Sequence, residues 1–454
     1  MAIVRITETN RSDFEVFSRQ NPVFANELAN LRDLRTRRLA RLSELPRRIQ
    51  RSRVRDLLTN KQLLRLYAYE ALRKSNNLRA ATVAQIDEMA AEANLFRPCR
   101  ERSPRRYVGV RQRQREVFSF GPEKRLRQML VADLLRSLHP PRRSQTLLHG
   151  GMPAARAAVE AAYFDNGMRY CAEVDFVDFY GSIPWDGLAD TLRPLPERVV
   201  RHVVYDTTIR RSYEGEDASA SSSVSWSHPH RIGPAGLPLG SACSPVVGEC
   251  ILAQFLREIS SDRYVAYADN VLFLGRDPAD VAALTDSFGE VVQNSSGSMR
   301  FRVGSTVPLD ADFDFLGQYA SLADDGESFV WRPSAGKIAE YRIGEQVPES
   351  SPEQIDIAER QIINWRLAYP DWPEGGEVEA RCLAEVASLR YFQQRTRISH
   401  RRAISAILDA AQASNYALSI DEIVPDAAPQ YAAERDRLIQ SCLDRFPETQ
   451  TAAE

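Results

Sequence analysis

The chain has 454 residues, of which 59 are basic and 61 acidic, so its formal net charge is −2, and 43% of its residues are apolar. This composition excludes a disordered or collagen-like chain, and the length predicts about two to three domains that each bury a core. Six scattered cysteines without a Cys-x-x-Cys pair, and no basic-then-apolar leader, predict a reduced cytoplasmic protein that makes no contact with a membrane.

Charge is distributed unevenly along the chain. Residues 1–100 hold 20 Lys and Arg against 11 Asp and Glu, whereas residues 301–454 hold 15 against 26. A basic terminal segment is suited to a polyanionic partner, but a solvated, ion-paired helix surface explains the same charges equally well. Lysine is rare, and none occurs between Lys124 and Lys337.

The spacing of apolar residues predicts helices over about 22–95, where leucines form stripes interleaved with arginines. The leucines are core candidates. The arginines are candidate contacts to nucleic-acid phosphates, and they are Arg35, Arg37, Arg38, Arg41, Arg47, Arg48, Arg51 and Arg53.

Residues from about 105 to 120 alternate with period two, which predicts a strand or a hairpin. Alternation places Arg111, Arg113 and Arg115 on one face. A helix that contains Leu126, Leu130 and Leu134 is expected next, and residues 335–454 are expected to be mostly helical.

Three later segments carry polar residues that suit chemistry. Residues 170–176 alternate as a strand that delivers Asp175 to its end, after which Ser182 is expected to cap a helix with Pro184 in its first turn. The loop 236–240, rich in Gly and Pro, leads into a helix for which Ser244 is the expected cap. Residues 263–275 read as two apolar strands around a tight turn with Asp269 and Asn270.

In this order the segments resemble the catalytic motifs of reverse transcriptases, the RNA-directed DNA polymerases with a right-hand palm. Asp175-Phe-Val-Asp-Phe-Tyr180 is similar to the first catalytic aspartate and its aromatic residue. Gly236-Leu-Pro-Leu-Gly240 with Ser244-Pro245 is similar to the Gly-x-Pro-Gln-Gly loop, and Tyr267-Ala-Asp-Asn270 to the Tyr-x-Asp-Asp box. Phe315-Leu316-Gly317 resembles the hairpin that grips the primer, and the resemblance covers about 105–320.

The resemblance implies a role for each matched residue. Asp175 and Asp269, with the Phe176 carbonyl, would hold Mg²⁺, with Mn²⁺ as the alternative ion, and Asn270 would complete the catalytic turn. Tyr180 would exclude a ribose 2′-hydroxyl. The other implied contacts to the incoming dNTP are Arg111, Arg113, Arg115, Leu239 and Gly240.

The sequence departs from the family pattern at four points. Asn270 replaces a second aspartate, Leu239 replaces a glutamine, and Glu249 stands where an asparagine is common. Phe301-Arg-Val-Gly-Ser-Thr306 has no lysine where relatives use one to protonate pyrophosphate. With these departures the sequence resembles the bacterial reverse transcriptases of phage defence, in the abortive-infection and retron-like groups.

The expected fold is therefore α+β, a right-hand polymerase whose fingers and antiparallel palm sheet (101–330) follow a basic helical extension (1–100). A helical thumb-like domain (331–454) would end the chain. The expected partners are dNTPs, the DNA product, and RNA, which includes a dedicated non-coding RNA. A companion protein or a second copy of the chain is a further candidate. Two alternatives stay open: an inert palm that binds RNA as a scaffold, and a template-independent, protein-primed nucleotidyl transferase.

Overall fold

The structure is a computed structural model that describes most of the first three quarters of the chain. Side chains at 8–13, 105–108, 115 and 296 are not part of the description. The described ranges are 8–75, 81–108, 115–183, 188–209, 236–296 and 299–334, with short pieces at 369, 372, 375–377, 379–380 and 383. The chain forms two compact units, residues 1–307 and 308–454.

Helices dominate the described part of the first unit. A single π-helical stretch spans Val200–Val204, and a short 3-10 turn spans Leu42–Glu44. The α-helices are α1 (Glu8–Gln20), α2 (Pro22–Leu39), α3 (Arg47–Leu58), α4 (Lys61–Lys74), α5 (Val83–Glu92), α6 (Pro122–Leu138), α7 (Gly151–Phe164), α8 (Phe179–Ser182), α9 (Leu188–Thr191), α10 (Glu197–Val199), α11 (Ser244–Phe255) and α12 (Pro278–Ser296).

The described strands form three largely antiparallel sheets. The strands are β1 (Arg105–Val108), β2 (Arg115–Phe118), β3 (Tyr170–Val177), β4 (Tyr264–Tyr267), β5 (Asn270–Gly275), β6 (Arg300–Val303), β7 (Val307–Pro308), β8 (Phe313–Phe315), β9 (Gln318–Leu322) and β10 (Phe329–Pro333). Helices with antiparallel sheets make a mixed α+β fold, as the sequence predicts.

Helices α2 to α5 lie within the region 22–95 that the sequence predicts as helical, and α1 precedes it. The segment expected to run from 51 to 75 divides in two, because Asn60 caps a new helix: its Oδ1 accepts the Leu63 N–H at 3.0 Å. Buried residues of these helices belong to the same hydrophobic cluster as those of the sheet that follows. The boundary at residue 100 stays a prediction, as do those at 330.

The main sheet has the strand order β4-β5-β3-β6, with β7 also paired to β3. Alternation along β3 buries Val174 and Phe176 and exposes Asp175 on the opposite face. Helix α12 packs on the buried face through Phe288, which lies 5.9 Å from the ring of Phe176 and 5.2 Å from that of Phe273. Around Asp175 the sheet therefore has one face in the core and one polar face, whereas Leu272 and Leu274, further along the face of Asp175, are buried.

Two expected helix caps are wrong. Ser182 ends α8 rather than starting a helix, because the left-handed Asp178 (φ +49°) turns the chain so that a helical turn begins at Phe179. Ser244 is the first residue of α11 rather than its cap, and its hydroxyl donates to the Pro238 carbonyl at 2.8 Å. That bond ties the preceding loop to the helix.

The described part of the second unit is the sheet β8-β9-β10. Leu316 and Gly317 form the two-residue turn between β8 and β9, and both have positive φ, +57° and +63°. This is the turn type that matches the twist of a tight hairpin. The predicted carboxy-terminal helices lie almost entirely outside the described residues. No helix of the described part is both long and apolar enough to span a bilayer.

Candidate active site

A row of polar residues crosses the exposed face of the main sheet. Asp175 in β3 lies opposite Asn270 of β5 on one side and opposite Arg302 of β6 on the other. Side chains of directly opposed residues share a face of the sheet. Asp175 and Arg302 are exposed and Asn270 is half-buried. The fold thus brings together residues that are 127 positions apart in sequence, from 175 to 302.

The hairpin between β4 and β5 carries the second predicted carboxylate. Ala268 and Asp269 form its two-residue turn, since Tyr267 pairs with Asn270. The Phe176 N–H donates to the Asp269 carbonyl at 3.4 Å, so the backbone of the turn lies against the end of β3. Asp269 and Asp175 therefore stand at adjoining strand ends, as the predicted metal site requires.

Ala268 adopts the left-handed conformation, with φ +55°. A non-glycine residue in this region costs roughly 1–2 kcal/mol, and it persists only where neighbouring structure holds it. The turn of the candidate site therefore contains backbone strain that the surrounding residues compensate.

An aromatic cluster fixes the strand that carries Asp175. The Phe176 ring is buried, with ring centroids 4.9 Å from Phe179, 6.4 Å from Phe255 and 5.9 Å from Phe301. Its side chain is committed to the core, so its predicted contribution is limited to the backbone carbonyl.

The loop 236–240 links helix α8, which follows strand β3, to strand β2 of the β1–β2 hairpin. The Leu237 N–H donates to the Tyr180 carbonyl at 2.6 Å, and the Leu239 carbonyl accepts the Phe118 N–H at 2.9 Å. A methyl group on Gly236 would overlap the Tyr180 carbonyl oxygen and the backbone of Gly181. Glycine is required here because two backbone segments lie in contact.

Tyr180 and Gly240 lie at the two ends of this junction. The Tyr180 ring is half-buried beside Phe179, with centroids 5.2 Å apart, and it faces α11 at Gly248. Gly240 is exposed, with φ +95°, and Leu239 is half-buried. A side chain at Gly240 would meet the Phe118 carbonyl, so the loop approaches strand β2 closely.

The predicted triphosphate arginines are only partly described. Arg111 and Arg113 lie outside the described residues. Arg115 begins β2 opposite Val108, but its side chain is not described. The hairpin Phe315-Leu316-Gly317 belongs to the second unit, where Phe315 is buried and the turn residues are half-buried.

The amino-terminal arginines fall into two groups. Arg35 faces protein carboxylates, since its guanidinium lies 3.7 Å from both Glu70 and Asp133, and it lies 5.9 Å from the Tyr67 ring. These contacts give Arg35 a structural role within the helices. The remaining arginines of the predicted set are exposed on α2, α3 and the connection between them: Arg37, Arg38, Arg41, Arg47, Arg48, Arg51 and Arg53.

The sequence did not indicate where two further residues of the site lie. Arg302 appears only within a string that lacks a lysine, yet its strand places it beside Asp175. Glu249 was noted only as a departure, yet it is a buried acid, 4% exposed, in a helix that is otherwise apolar around it. A carboxylate within the run Val246–Phe255 was the available signal.

Burial changes the acidity of Glu249. Loss of hydration raises its pKa from an ordinary 4.5 to about 8, and the nearby Ala268 N–H opposes this shift. Neither carboxyl oxygen completes a hydrogen bond of normal geometry with any described residue. Glu249 is therefore largely protonated at neutral pH.

The oxygen donors of the site fit a magnesium ion. Mg²⁺ prefers hard oxygen ligands and often takes one or two protein carboxylates, with substrate phosphates and water as the rest. Asp175 is exposed and Asp269 is half-buried, at adjoining strand ends. The described residues contain no group of three or more His, Cys, Asp or Glu that could hold a metal alone. A substrate would have to complete the shell.

The polar row, the strained turn and the loop all lie in one continuous stretch of the fold, from α6 to β6. Residues 123–303 match the reverse transcriptase (RNA-dependent DNA polymerase) family. This match agrees with the predicted resemblance of this part of the chain to the RNA-directed DNA polymerases. All three motif segments lie inside the reverse transcriptase match, whereas Arg111, Arg113, Arg115 and the Phe315–Gly317 hairpin lie outside it.

One solved structure similar to the chain is that of telomerase from Candida albicans in complex with the TWJ fragment of telomeric RNA. The TM-score is 0.36, the sequence identity is 11%, and 75% of this chain is covered. The chain spans 63% of the length of that telomerase chain. No curated protein matches the sequence significantly.

Proposed function

We propose that the protein is a metal-dependent DNA polymerase of reverse-transcriptase type that adds dNTPs to a primer on an RNA template. The observation that carries the proposal is the cross-strand row of Asp175, Asn270 and Arg302 beside the Asp269 turn, inside residues that match the reverse transcriptase family. A carboxylate pair next to an exposed arginine suits a substrate with both a metal-bound and a free phosphate charge.

Asp175 and Asp269 are the proposed ligands of Mg²⁺, together with the Phe176 carbonyl. When bound, the ion neutralises phosphate charge and activates the attacking 3′-hydroxyl. Asn270 offers an amide oxygen to the same face without a negative charge. Arg302 stands where a cation can bind the phosphates of the nucleotide, in place of the absent lysine.

Residues around the loop bind the rest of the nucleotide in this proposal. Tyr180 excludes a ribose 2′-hydroxyl, and Leu239 and Gly240 pack against the base or template. The triphosphate is held by the arginines of the β1–β2 hairpin: Arg111, Arg113 and Arg115. The Phe315–Gly317 turn contacts the primer, and a helical domain at 331–454 acts as the thumb.

The exposed arginines of α2 and α3 form the proposed RNA surface. Five arginines lie along α3, a helix of only 12 residues with one acidic residue, Asp56, and they are Arg47, Arg48, Arg51, Arg53 and Arg55. Positive charge without nearby compensation attracts phosphates in a manner that depends on salt. Arg35 is the exception, because its ion pairs are internal to the protein.

The departures from the family pattern support a specialised biological role. Leu239, Asn270 and the missing lysine suggest the bacterial enzymes of phage defence, acting in the cytoplasm with a non-coding RNA or a companion protein. The proposal includes that role.

The test is to purify the full chain with any nucleic acid that accompanies it, sequence that material, and add labelled dNTPs singly with Mg²⁺ or Mn²⁺. Incorporation by the wild type, lost in Asp175→Asn and in Asp269→Asn, is the expected result. Absence of incorporation under all conditions would overturn the polymerase proposal.

One observation favours an inert palm as the second candidate. Asn270 removes a carboxylate from the turn, and no described group of three acidic, His or Cys residues could hold an ion alone. In that case the protein would bind RNA and neither metal would support incorporation. RNA binding by a protein that stays inactive after Asn270→Asp would establish this alternative.

A further inference from the structure

Helix α11 presents a carboxyl group to the underside of the candidate active-site turn. Glu249 is 4% exposed, and no described residue forms a hydrogen bond of normal geometry with either of its carboxyl oxygens. Its neighbours on the helix, Gly248 and Cys250, are also buried. Acidic side chains are rare in protein interiors, because an apolar side chain of similar size would fill the same space at a lower free-energy cost. A buried acid is therefore a candidate for a specific role.

The contacts of Glu249 identify the hairpin as its neighbour. The Ala268 N–H lies close enough to the carboxyl to lower its pKa, although burial has the larger, opposite effect. Burial and Glu249 together raise the pKa of Tyr267, the residue that precedes Ala268. The carboxyl therefore lies beneath Tyr267 and Ala268, the residues that lead into Asp269.

A second link connects the same helix position to the same strand. The Gln145 side chain donates to the Glu249 carbonyl at 2.9 Å, and the Gln145 backbone bridges to Ala266. Its neighbours Ser144 and Thr146 add backbone bonds of 2.8 Å to Ala266. The distance between α11 and strand β4 is thus set at Ala266, two residues before the turn.

Ala268 is the residue of the turn that needs support. Its left-handed backbone is strained, and it persists only if the surroundings favour it over a relaxed turn. A neutral carboxyl has a carbonyl oxygen that accepts from an N–H and a hydroxyl that donates. It can therefore hold the Ala268 amide from below without placing a negative charge next to the metal ligands.

We propose that Glu249 is a positioning residue for the hairpin: its buried carboxyl holds the left-handed Ala268 turn and thereby sets where Asp269 stands. The proposal rests on the proposed polymerase function for its catalytic consequence, but its structural part concerns the turn alone. Glu249 touches no substrate and acts through Asp269.

Two substitutions separate positioning from packing. Glu249→Met keeps the length of the side chain and removes its carboxyl group. It therefore removes the free-energy cost of a buried carboxyl, and it also removes the group that we propose holds Ala268. Glu249→Gln retains one acceptor and one donor at the same place. Glu290→Gln, an exposed position on α12, is the matched control.

The first readout is deuterium exchange, followed by mass spectrometry, of peptides that cover 264–272 in the full-length protein. We expect Glu249→Met to melt at or above the wild-type temperature, yet to exchange at the turn roughly threefold faster or more. Glu249→Gln and Glu290→Gln should exchange as the wild type does. Unchanged exchange in Glu249→Met would overturn the proposal, whether or not the protein polymerises.

The second readout is the kinetics of dNTP incorporation. Misplacing Asp269 should lower kcat by about tenfold or more and leave KM for the dNTP nearly unchanged, and Glu249→Gln should restore most of kcat. Wild-type kcat in Glu249→Met would overturn the proposal and leave the polymerase function intact. A loss in Glu249→Gln as large as in a folded Glu249→Met would also overturn it. If Glu249→Met fails to fold, a tenfold or larger loss of kcat in a folded Glu249→Gln overturns the proposal by itself. An inactive wild type would refute the polymerase function, and exchange at the turn would still decide the role of Glu249.

Discussion

The buried Glu249 should make the stability of the protein depend on pH. Its pKa is about 8 in the folded protein, against an ordinary value of 4.5 that applies when the chain is unfolded. Below about pH 4.5 both states hold the proton, and the contribution of Glu249 to folding is fully present. As the pH rises from 4.5 to about 8, the unfolded state releases the proton first, so unfolding becomes more favourable.

The magnitude follows from the size of this interval. One proton difference changes the free energy of unfolding by about 1.4 kcal/mol per pH unit, so between pH 5 and pH 7 the wild type should lose roughly 3 kcal/mol relative to a variant that cannot titrate. The residue is 4% exposed, so solvent screening does not reduce this value much. For a unit of this size the loss corresponds to a melting temperature lower by roughly 5 °C or more.

The assay compares wild type and Glu249→Gln by calorimetry and by denaturant unfolding at pH 5, 6, 7 and 8. The stability difference between the two proteins should grow with pH in favour of Glu249→Gln and level off above about pH 8. Glu290→Gln, on an exposed position, should show a constant difference from the wild type. A difference between wild type and Glu249→Gln that does not vary with pH would refute the assignment of a neutral, buried carboxyl.

Four further predictions concern the site and the basic surface. Asp175→Asn and Asp269→Asn should each abolish dNTP incorporation while the melting temperature stays within a few degrees of wild type; retained incorporation in either would remove that residue from the metal site. Asn270→Asp should bind Mg²⁺ more tightly and polymerise at least as fast as the wild type, which metal titration of both proteins checks, since a carboxylate adds a negative charge that an amide lacks. Gly236→Ala should destabilise the protein by about 2 kcal/mol or more, because its methyl group overlaps the Tyr180 carbonyl. Gly326 has a positive φ but open space around it, so Gly326→Ala should cost only about 1 kcal/mol. Equal melting temperatures for the two variants would contradict this expectation. Replacing Arg48 and Arg51 together by Ala should weaken RNA binding and reduce the steepness of log K for RNA binding against log salt concentration by about 2. The control replaces Arg198 and Arg201 together by Ala and should leave this slope unchanged. An unchanged slope after replacement of Arg48 and Arg51 would exclude α3 from the RNA surface.

The sequence by itself determined the elements whose signal is local. The period of apolar residues was enough for the amino-terminal helices, for α6 and for strand β3, because each of these patterns depends only on which side chains face the core. Two apolar runs around turn-forming residues were enough to predict the β4–β5 hairpin, but its turn residues are Ala268 and Asp269, and Asn270, which was predicted in the turn, already belongs to β5. The order of the three motif segments also predicted a resemblance to reverse transcriptases, and the family match over residues 123–303 agrees with it.

Helix boundaries were less well determined. Ser182 and Ser244 are both of a residue type that is typical of a helix cap. However, the left-handed Asp178 makes α8 begin before Ser182, and the Ser244 hydroxyl donates to the Pro238 carbonyl. Each competing interaction involves a backbone conformation or a loop that a linear pattern does not contain. A residue type that favours capping is therefore not enough to fix where a helix begins.

Only the tertiary structure decided which distant residues became neighbours. Arg302 lies beside Asp175 because β6 pairs with β3 in one register, and a shift of one residue would put its side chain on the other face. Arg35 looks like its exposed neighbours in the sequence, yet packing of α2 against α4 and α6 turns it toward Glu70 and Asp133. Glu249 became a neutral acid under the turn because α11 is covered on that side by the sheet. Register and burial arise from contacts between segments far apart in the chain, and for that reason no local pattern specified them.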